Sequence, residues 1–229
     1  MTNTCEKPSK STEKFKRIPL HIGVIPDGNR RWALSHEMDK HEGYAHGIDP
    51  GLRFVELCAS YGIKEATFYA FTVDNTKRAA PQIRAYTDAC IKAVSSTANR
   101  DYNIMALGNE ASKFFPAELS KYANKRVSYG KGILNINFLV NYSWKWDLAH
   151  IGGSASSSGS VEKAIASRDI PRIDLIIRWG GRRRLSGFLP VQSVYSDFYI
   201  VDDYWPDFKD EHFLEALRWY QDCDITLGG

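Results

Sequence analysis

The chain has 229 residues, 43% of them hydrophobic and 25% charged, with a formal net charge of +3. That composition excludes a disordered polymer and gives ample core for one large domain or two small ones. A charge so near balance argues against nucleic acid as a partner, and basic residues matter only where they cluster, at 30–31 and 182–184.

In chain order, the polar, Lys-rich stretch 1–17 reads as a flexible tail and 18–229 as the folded domain. Ile22, Val24 and Ile25 form an apolar run suited to a buried strand, broken by Pro26-Asp27-Gly28-Asn29 before Arg30, Arg31 and Trp32 open a helix. After a charged, irregular stretch over 33–42, Leu52, Val55, Cys58 and Ala59 carry helical spacing over 48–61, stopped by Gly62. The alternating, aromatic ATFYAFTV places a second strand over 65–73, ending in Asp74-Asn75-Thr76. A helix over 81–99 accepts Pro81 in its first turn. A short strand over 103–107, a helix over 116–126 and a strand over 132–142 follow. The Gly/Ser-rich 152–160 reads as a mobile loop, 174–177 as a strand running into Arg178-Trp179-Gly180-Gly181, and 211–220 as an amphipathic helix.

No apolar run approaches the length of a membrane span, and the first residues lack a signal-peptide core. Cys5, Cys58, Cys90 and Cys223 lie far apart without a CxxC pair or metal-ligand spacing, as isolated thiols of a reducing cytosol do. The expectation is a cytoplasmic protein with no integral membrane span.

Strands alternating with helices define an α/β domain with a mainly parallel sheet, which binds ligands at the carboxyl ends of its strands. Three such ends deliver polar sets here: Asp27-Gly28-Asn29, Asp74-Asn75, and 178–186. The strand-to-helix corner at 26–32 supplies free backbone N–H groups, and Arg30 and Arg31 add charge-assisted contacts suited to phosphate. Asp27 would be repelled by a bare phosphate, so Mg²⁺ bridging the two is the natural arrangement. In DLIIRWGGRRRLSG, Arg178, Arg182, Arg183, Arg184 and Ser186 could clamp a second diphosphate. Plainer alternatives exist singly: a solvated basic loop for the arginines, an Asx turn for Asp27, a helix cap for Asn75. Together the features point to two diphosphate esters of apolar groups reacting in a dry aromatic pocket, with Mg²⁺ and arginines stabilising departing pyrophosphate. No GxGxxG or P-loop pattern follows any strand, so nucleotide binding has no support.

HIGVIPDGNRRWA, GIKEATFYAFTVDNTKR, DLIIRWGGRRRLSGFLPVQSVYSDFY and WPDFKDEHFLEALRWY resemble, in order and spacing, the signature blocks of cis-prenyltransferases, the undecaprenyl diphosphate synthase family, over 21–220. The resemblance implies a homodimer, a single α/β domain with a central, mostly parallel six-stranded sheet flanked by helices, an apolar tunnel, and Mg²⁺-dependent condensation of prenyl diphosphates. It implies Asp27 as the metal and diphosphate aspartate, Gly28, Asn29, Arg30 and Arg31 as the allylic-diphosphate loop, and Arg78 as an arginine on that diphosphate. Asn75, flanked by Thr72 where serine is usual, matches an asparagine near the proton-transfer step. Arg178, Arg184 and Ser186 match the set that holds the second diphosphate, and Asp197 stands where a glutamate helps hold the metal across the dimer. Trp32, Lys40, Tyr44 and Asp74 are assigned to substrate binding beside these.

Several positions depart from the family pattern. Pro26 replaces a methionine, Tyr44 a histidine, Thr76 a tryptophan, Arg182 a glutamate and Gly187 an asparagine, and QDCDITLGG replaces an arginine-rich C-terminal end. Pro26, Tyr44, the Gly180-Gly181 pair and Pro190 resemble instead the irregular, lavandulyl-type branch, which joins dimethylallyl diphosphate head to middle, and within it the resemblance implies an enzyme of bacterial secondary metabolism. The competing expectations are a short-chain, head-to-tail enzyme consuming isopentenyl diphosphate and a catalytically silent partner subunit.

Overall fold

The computed structural model describes residues 13–98, 100–151 and 161–224. A seven-stranded sheet runs through the molecule, and its strands are β1 (His21–Ile25), β2 (Glu65–Thr72), β3 (Tyr102–Leu107), β4 (Val127–Ser128), β5 (Leu134–Tyr142), β6 (Leu175–Arg178) and β7 (Asp197–Ile200). Their spatial order is β4-β3-β5-β2-β1-β6-β7, parallel throughout except for β3 against β4. The helices are α1 (Asn29–Ser35), α2 (Gly43–His46), α3 (Ile48–Ser60), α4 (Ala80–Thr97), α5 (Trp144–Leu148), α6 (Val161–Ala164) and α7 (Asp210–Gln221).

The strands read as nearly continuous apolar runs because both faces of the sheet are covered. With a two-residue period, Ile22, Val24, Ala66, Phe68, Ile136, Phe138, Leu175 and Ile177 enter one core. There they meet Phe54 and Leu57 of α3 and Phe213 and Leu217 of α7. Ile25, Met105, Leu107, Leu139 and Ile176 enter the core on the other face, with Phe188 and Leu189. In β2 the register against β5 shifts between Phe68 and Thr72, a bulge at the end of the strand that turns toward the site.

The α/β expectation holds, with seven strands instead of six. The two strands that the residue pattern does not place are short edges: β4 closes one side, and β7 sits in an aromatic stretch without clear alternation. The helix expected over 116–126 is shorter, a 3₁₀ segment Ala117–Tyr122 followed by β4, because Asn124 at φ 52 ends it. Residues 13–17, expected as part of the tail, are fastened to α7. Arg218 pairs with Glu13 at 2.7 Å, Lys16 N donates to Gln221 Oε1 at 2.8 Å, and Arg17 reaches the carbonyls of Tyr220 and Cys223. The loop expected over 152–160 lies outside the described residues.

Candidate active site

The first anion corner is built where β1 ends. Gly28 takes φ +111, and a Cβ there would lie 2.8 Å from the Tyr204 ring, so only glycine makes this turn. Asp27 O accepts from Trp205 N at 3.0 Å, which ties the corner to the segment before α7. The carboxylate of Asp27 is held on three sides. Gly28 N donates to Oδ1 at 2.7 Å, Arg31 Nη2 stands 3.5 Å from Oδ1, and Arg178 Nη2 donates to Oδ2 at 2.7 Å. Asn29 is buried and its Nδ2 donates to Pro26 O at 2.9 Å, while its Oδ1 has no hydrogen-bond partner among the described residues.

Arg178 closes β6 and is buried. Its second nitrogen, Nη1, donates to Ser186 Oγ at 3.2 Å and to the carbonyl of Arg184. One guanidinium fork therefore joins the Asp27 corner to the arginine loop. The loop can come this close because Gly180 and Gly181 take φ +81 and +68, and a Cβ on Gly180 would lie 2.5 Å from Arg31 Nη2.

A third wall comes from the segment after β2. Arg78 Nη1 donates to Tyr44 Oη at 2.7 Å, and its guanidinium lies 5.5 Å from the Tyr86 ring centroid. Tyr44 and Tyr86 stack with centroids 4.4 Å apart and planes within 5°. Burial raises the Tyr44 hydroxyl above its usual range against the pull of Arg78, so it accepts that hydrogen bond as a neutral phenol.

Two cavities meet at this wall. A polar one of about 390 Å³ is lined by Asp27, Gly28, Asn29, Arg30, Arg31, Lys40, Tyr44, Arg78, Arg182 and Arg184, among others. A narrow apolar one of about 70 Å³ runs between α3, α4 and the sheet, past Leu52, Val55, Phe68, Cys90 and Phe138. Pro26, Asn29, Tyr44 and Tyr86 line both. Burial pushes the Cys90 thiol up to about 12, so this side chain stays an uncharged part of an apolar wall.

The expected residues divide accordingly. Thr72 and Asn75 do not line the polar cavity; Thr72 is the N-cap of the 3₁₀ turn Val73–Lys77, and its N donates to Asn75 Oδ1, three residues on, at 2.9 Å. Asp74 is exposed and pairs with Lys77 at 2.6 Å, and Trp32 spends its indole N–H on Asp207 at 2.7 Å. Both lie off the cavity wall, as does Arg183. Asp197 opens β7, whose register sets it beside Leu175 at the amino end of β6, whereas Asp27 follows the carboxyl end of β1. Within one chain these two carboxylates do not converge. Tyr86 was missed, because a tyrosine inside an amphipathic helix carries no signal beyond core packing.

Among the described residues no three His, Cys, Asp or Glu side chains form a metal cluster, and Asp27 is the one carboxylate on the polar cavity wall. A lone carboxylate beside room for phosphate oxygens and water suits Mg²⁺, which is commonly held by one or two carboxylates plus its substrate.

A parallel α/β sheet carrying a cationic bowl that opens on an apolar channel defines an enzyme for diphosphate esters of hydrocarbons. The undecaprenyl diphosphate synthase family model matches residues 25–228. The ditrans,polycis-undecaprenyl-diphosphate synthase of Pseudomonas putida is 31% identical over 217 residues, covering 87% of this chain and 86% of that protein. An isoprenyl transferase of Leptospira interrogans is 29% identical over 232 residues, covering 93% and 95%. In fold, the chain is similar to lavandulyl diphosphate synthase from Lavandula x intermedia, solved with dimethylallyl diphosphate. That likeness has a TM-score of 0.78 at 24% identity and covers 92% of this chain and 98% of that one. The chain belongs to the cis-prenyltransferase (undecaprenyl diphosphate synthase) family and is a prenyltransferase of isoprenoid biosynthesis.

Proposed function

We propose that this prenyltransferase is an irregular synthase. It joins an allylic diphosphate, geranyl or dimethylallyl, to dimethylallyl diphosphate head to middle, giving a lavandulyl-type product such as isosesquilavandulyl diphosphate. The observation that carries the two-diphosphate reading is the single polar cavity shared by the Asp27 corner and by Arg182 and Arg184 of the arginine loop. The small apolar cavity that leads from it favours a short hydrocarbon over a long one. The irregular coupling rests on Pro26, Tyr44, the Gly180-Gly181 pair and Pro190, of which Pro26 and Tyr44 line the polar cavity.

Arg30, Arg31, Lys40 and Arg78 bind the allylic diphosphate, and Asp27 would hold Mg²⁺ on it. Mg²⁺ bound there supplies charge neutralisation for the departing pyrophosphate. The carbon–oxygen bond of the donor breaks, and pyrophosphate leaves with the electron pair. The internal alkene carbon of the acceptor, held by Arg178, Arg184 and Ser186, bonds to the donor's first carbon. The tertiary cation so formed loses a proton to a diphosphate oxygen, and loss from the acceptor carbon that formed the new bond gives the isosesquilavandulyl double bond. Asn75 and Thr72, hydrogen-bonded to each other, hold the end of β2 in place beside this step. Tyr44 and Tyr86 keep water from the cation at the mouth of the apolar cavity. In a homodimer, Asp197 of a second copy is the further carboxylate for the metal.

Pyrophosphate release measured with each substrate pair tests this reading. Turnover with geranyl and dimethylallyl diphosphate, in the absence of isopentenyl diphosphate, is expected. A strict requirement for isopentenyl diphosphate would establish the head-to-tail enzyme, and no turnover with any pair would establish the silent subunit.

A further inference from the structure

In the first turn of α7, a buried histidine has both ring nitrogens engaged. His212 is 8% exposed. Its Nδ1 accepts from two groups that can only donate, Trp179 Nε1 and Lys209 N, each at 3.3 Å. The proton of the neutral ring therefore sits on Nε2, 3.1 Å from Asp203 Oδ2. Lys209 Nζ reaches the same oxygen at 3.1 Å, with its side chain 67% exposed. Hydrogen bonding from Lys209, with a smaller share from His212, holds the Asp203 carboxyl below its ordinary range, so it stays an acceptor. None of Trp179, Asp203, Lys209 and His212 lines the polar or the apolar cavity.

The cluster nevertheless closes a ring around one turn of the chain. Trp179 directly precedes Gly180, and Gly180 N donates to Asp203 O at 2.8 Å. His212 thus holds Trp179 by the indole and Asp203 by the carboxylate, with the Gly180 turn between them. The same segment touches the other half of the site: Gly181 N donates to Val201 O at 3.1 Å, and Trp205 N to Asp27 O at 3.0 Å. The turn has little slack, since a Cβ on Gly180 would lie 3.2 Å from the Asp27 carbonyl. A shift of Asp203 is therefore passed to the Gly180 turn, which sets the arginine loop against the Asp27 corner.

We propose that His212 is a positioning residue: by bridging Trp179 and Asp203 it fixes the Gly180 turn, and with it the placement of one diphosphate substrate relative to the other. The inference rests on the reading of the chain as a prenyltransferase with two diphosphate substrates, whichever diphosphate is the second. Each diphosphate keeps its own ligands when the turn loosens, so the cost falls on the alignment of the reacting carbons and is read in kcat.

Two measurements on the full chain test it: amide hydrogen exchange at Gly180, and steady-state kinetics with the substrate pair that turns over. His212→Leu should lower the protection of the Gly180 amide about tenfold, the loss of one hydrogen bond to a carboxylate, while amides of β5 keep theirs. Its kcat should fall about tenfold or more, with KM for both substrates within about twofold. Asp203→Ala alters a side chain that is 45% exposed, so it spares the fold, and it should repeat both effects. The double variant should fall no further than the worse single one. His212→Gln, whose amide can accept from Lys209 N and donate to Asp203, should restore most of kcat. Lys209→Ala should stay within about twofold, as for an exposed ion pair. Unchanged Gly180 protection in His212→Leu, a loss seen in KM alone, additive losses in the double variant, or Lys209→Ala matching His212→Leu would each overturn the inference and leave the prenyltransferase reading intact. No wild-type turnover with any substrate pair would overturn both.

Discussion

Asp27 and Arg178 face each other across the junction of β1 and β6, with Arg178 Nη2 donating to Asp27 Oδ2 at 2.7 Å. Arg178 is 4% exposed and the Asp27 side chain 33%, so the carboxylate looks into the cavity while the guanidinium stands behind it. The same guanidinium reaches Ser186 and the Arg184 carbonyl. One residue thus braces both the Asp27 corner and the arginine loop, and the two are not independent.

Replacing Asp27 by alanine leaves a buried guanidinium short of its counter-charge. We expect a loss of about 1–3 kcal/mol in urea unfolding, discounted because the carboxylate is partly solvated. Turnover should fall by more than about a hundredfold, the scale of removing one group that stabilises a leaving anion. Asp27→Asn should recover most of the stability and little of the rate. Unchanged turnover in Asp27→Ala would mean that the metal centre lies elsewhere.

Arg178→Lys keeps the charge and loses the fork. A single ammonium cannot serve Asp27, Ser186 and the Arg184 carbonyl at once. The expected outcome is a fall of about ten- to a hundredfold in kcat/KM, larger for the second substrate than for the first, in steady-state assays that vary one substrate at a time. Equal effects on both would show that the brace serves the fold alone.

Tyr44→Phe removes the hydroxyl that accepts from Arg78 at 2.7 Å but keeps the ring stacked on Tyr86. Thermal stability should change little, and KM for the allylic diphosphate should shift by about three- to tenfold, one hydrogen bond to a charged group. Tyr44→Leu, which also removes the stack, should admit water and raise the share of hydrolysed alcohol among the products. An unchanged product mixture would show that the stacked pair does not shield the cation.

Far from the cavity, His21 is enclosed at the start of β1, with Nε2 2.8 Å from Thr67 Oγ1 and Nδ1 3.1 Å from the carbonyls of Pro171 and Arg172. Burial outweighs the attraction of Glu65 and holds its pKa below the ordinary 6.5. The unfolded chain therefore takes up this proton first as pH falls. The stability contribution is complete above the ordinary value and declines as pH drops below it toward the folded value. Unfolding midpoints should fall between about pH 7 and about pH 5, and His21→Gln should flatten that slope whatever it does to absolute stability. A slope unaltered by the substitution would place the proton uptake on another group.

How much of this could be read from residues alone differs from element to element. The strands at β1, β2, β5 and β6 are legible because both faces are buried and β-branched or aromatic residues fill them. β7 is not, since all four of its residues are half-buried at a sheet edge and show no alternation. In the site, Asp27, Arg30, Arg31 and the arginine loop were accessible through glycine turns and charge at strand ends. Trp32 and Asp74 sit beside those signals in sequence but turn to other partners, Asp207 and Lys77, and spacing alone does not say which way a side chain leaves a turn. Arg182 and Arg183 show the same limit: adjacent and identical in sequence, only the first lines the cavity.

The central claim is where the new carbon–carbon bond lies. Geranyl diphosphate labelled with ¹³C at its first carbon, incubated with dimethylallyl diphosphate labelled at its internal alkene carbon, tests it by NMR of the dephosphorylated product. Head-to-middle coupling joins the two labelled atoms and predicts a one-bond carbon–carbon splitting. A linear cis product, formed only when isopentenyl diphosphate is supplied and showing no such splitting, would contradict the account.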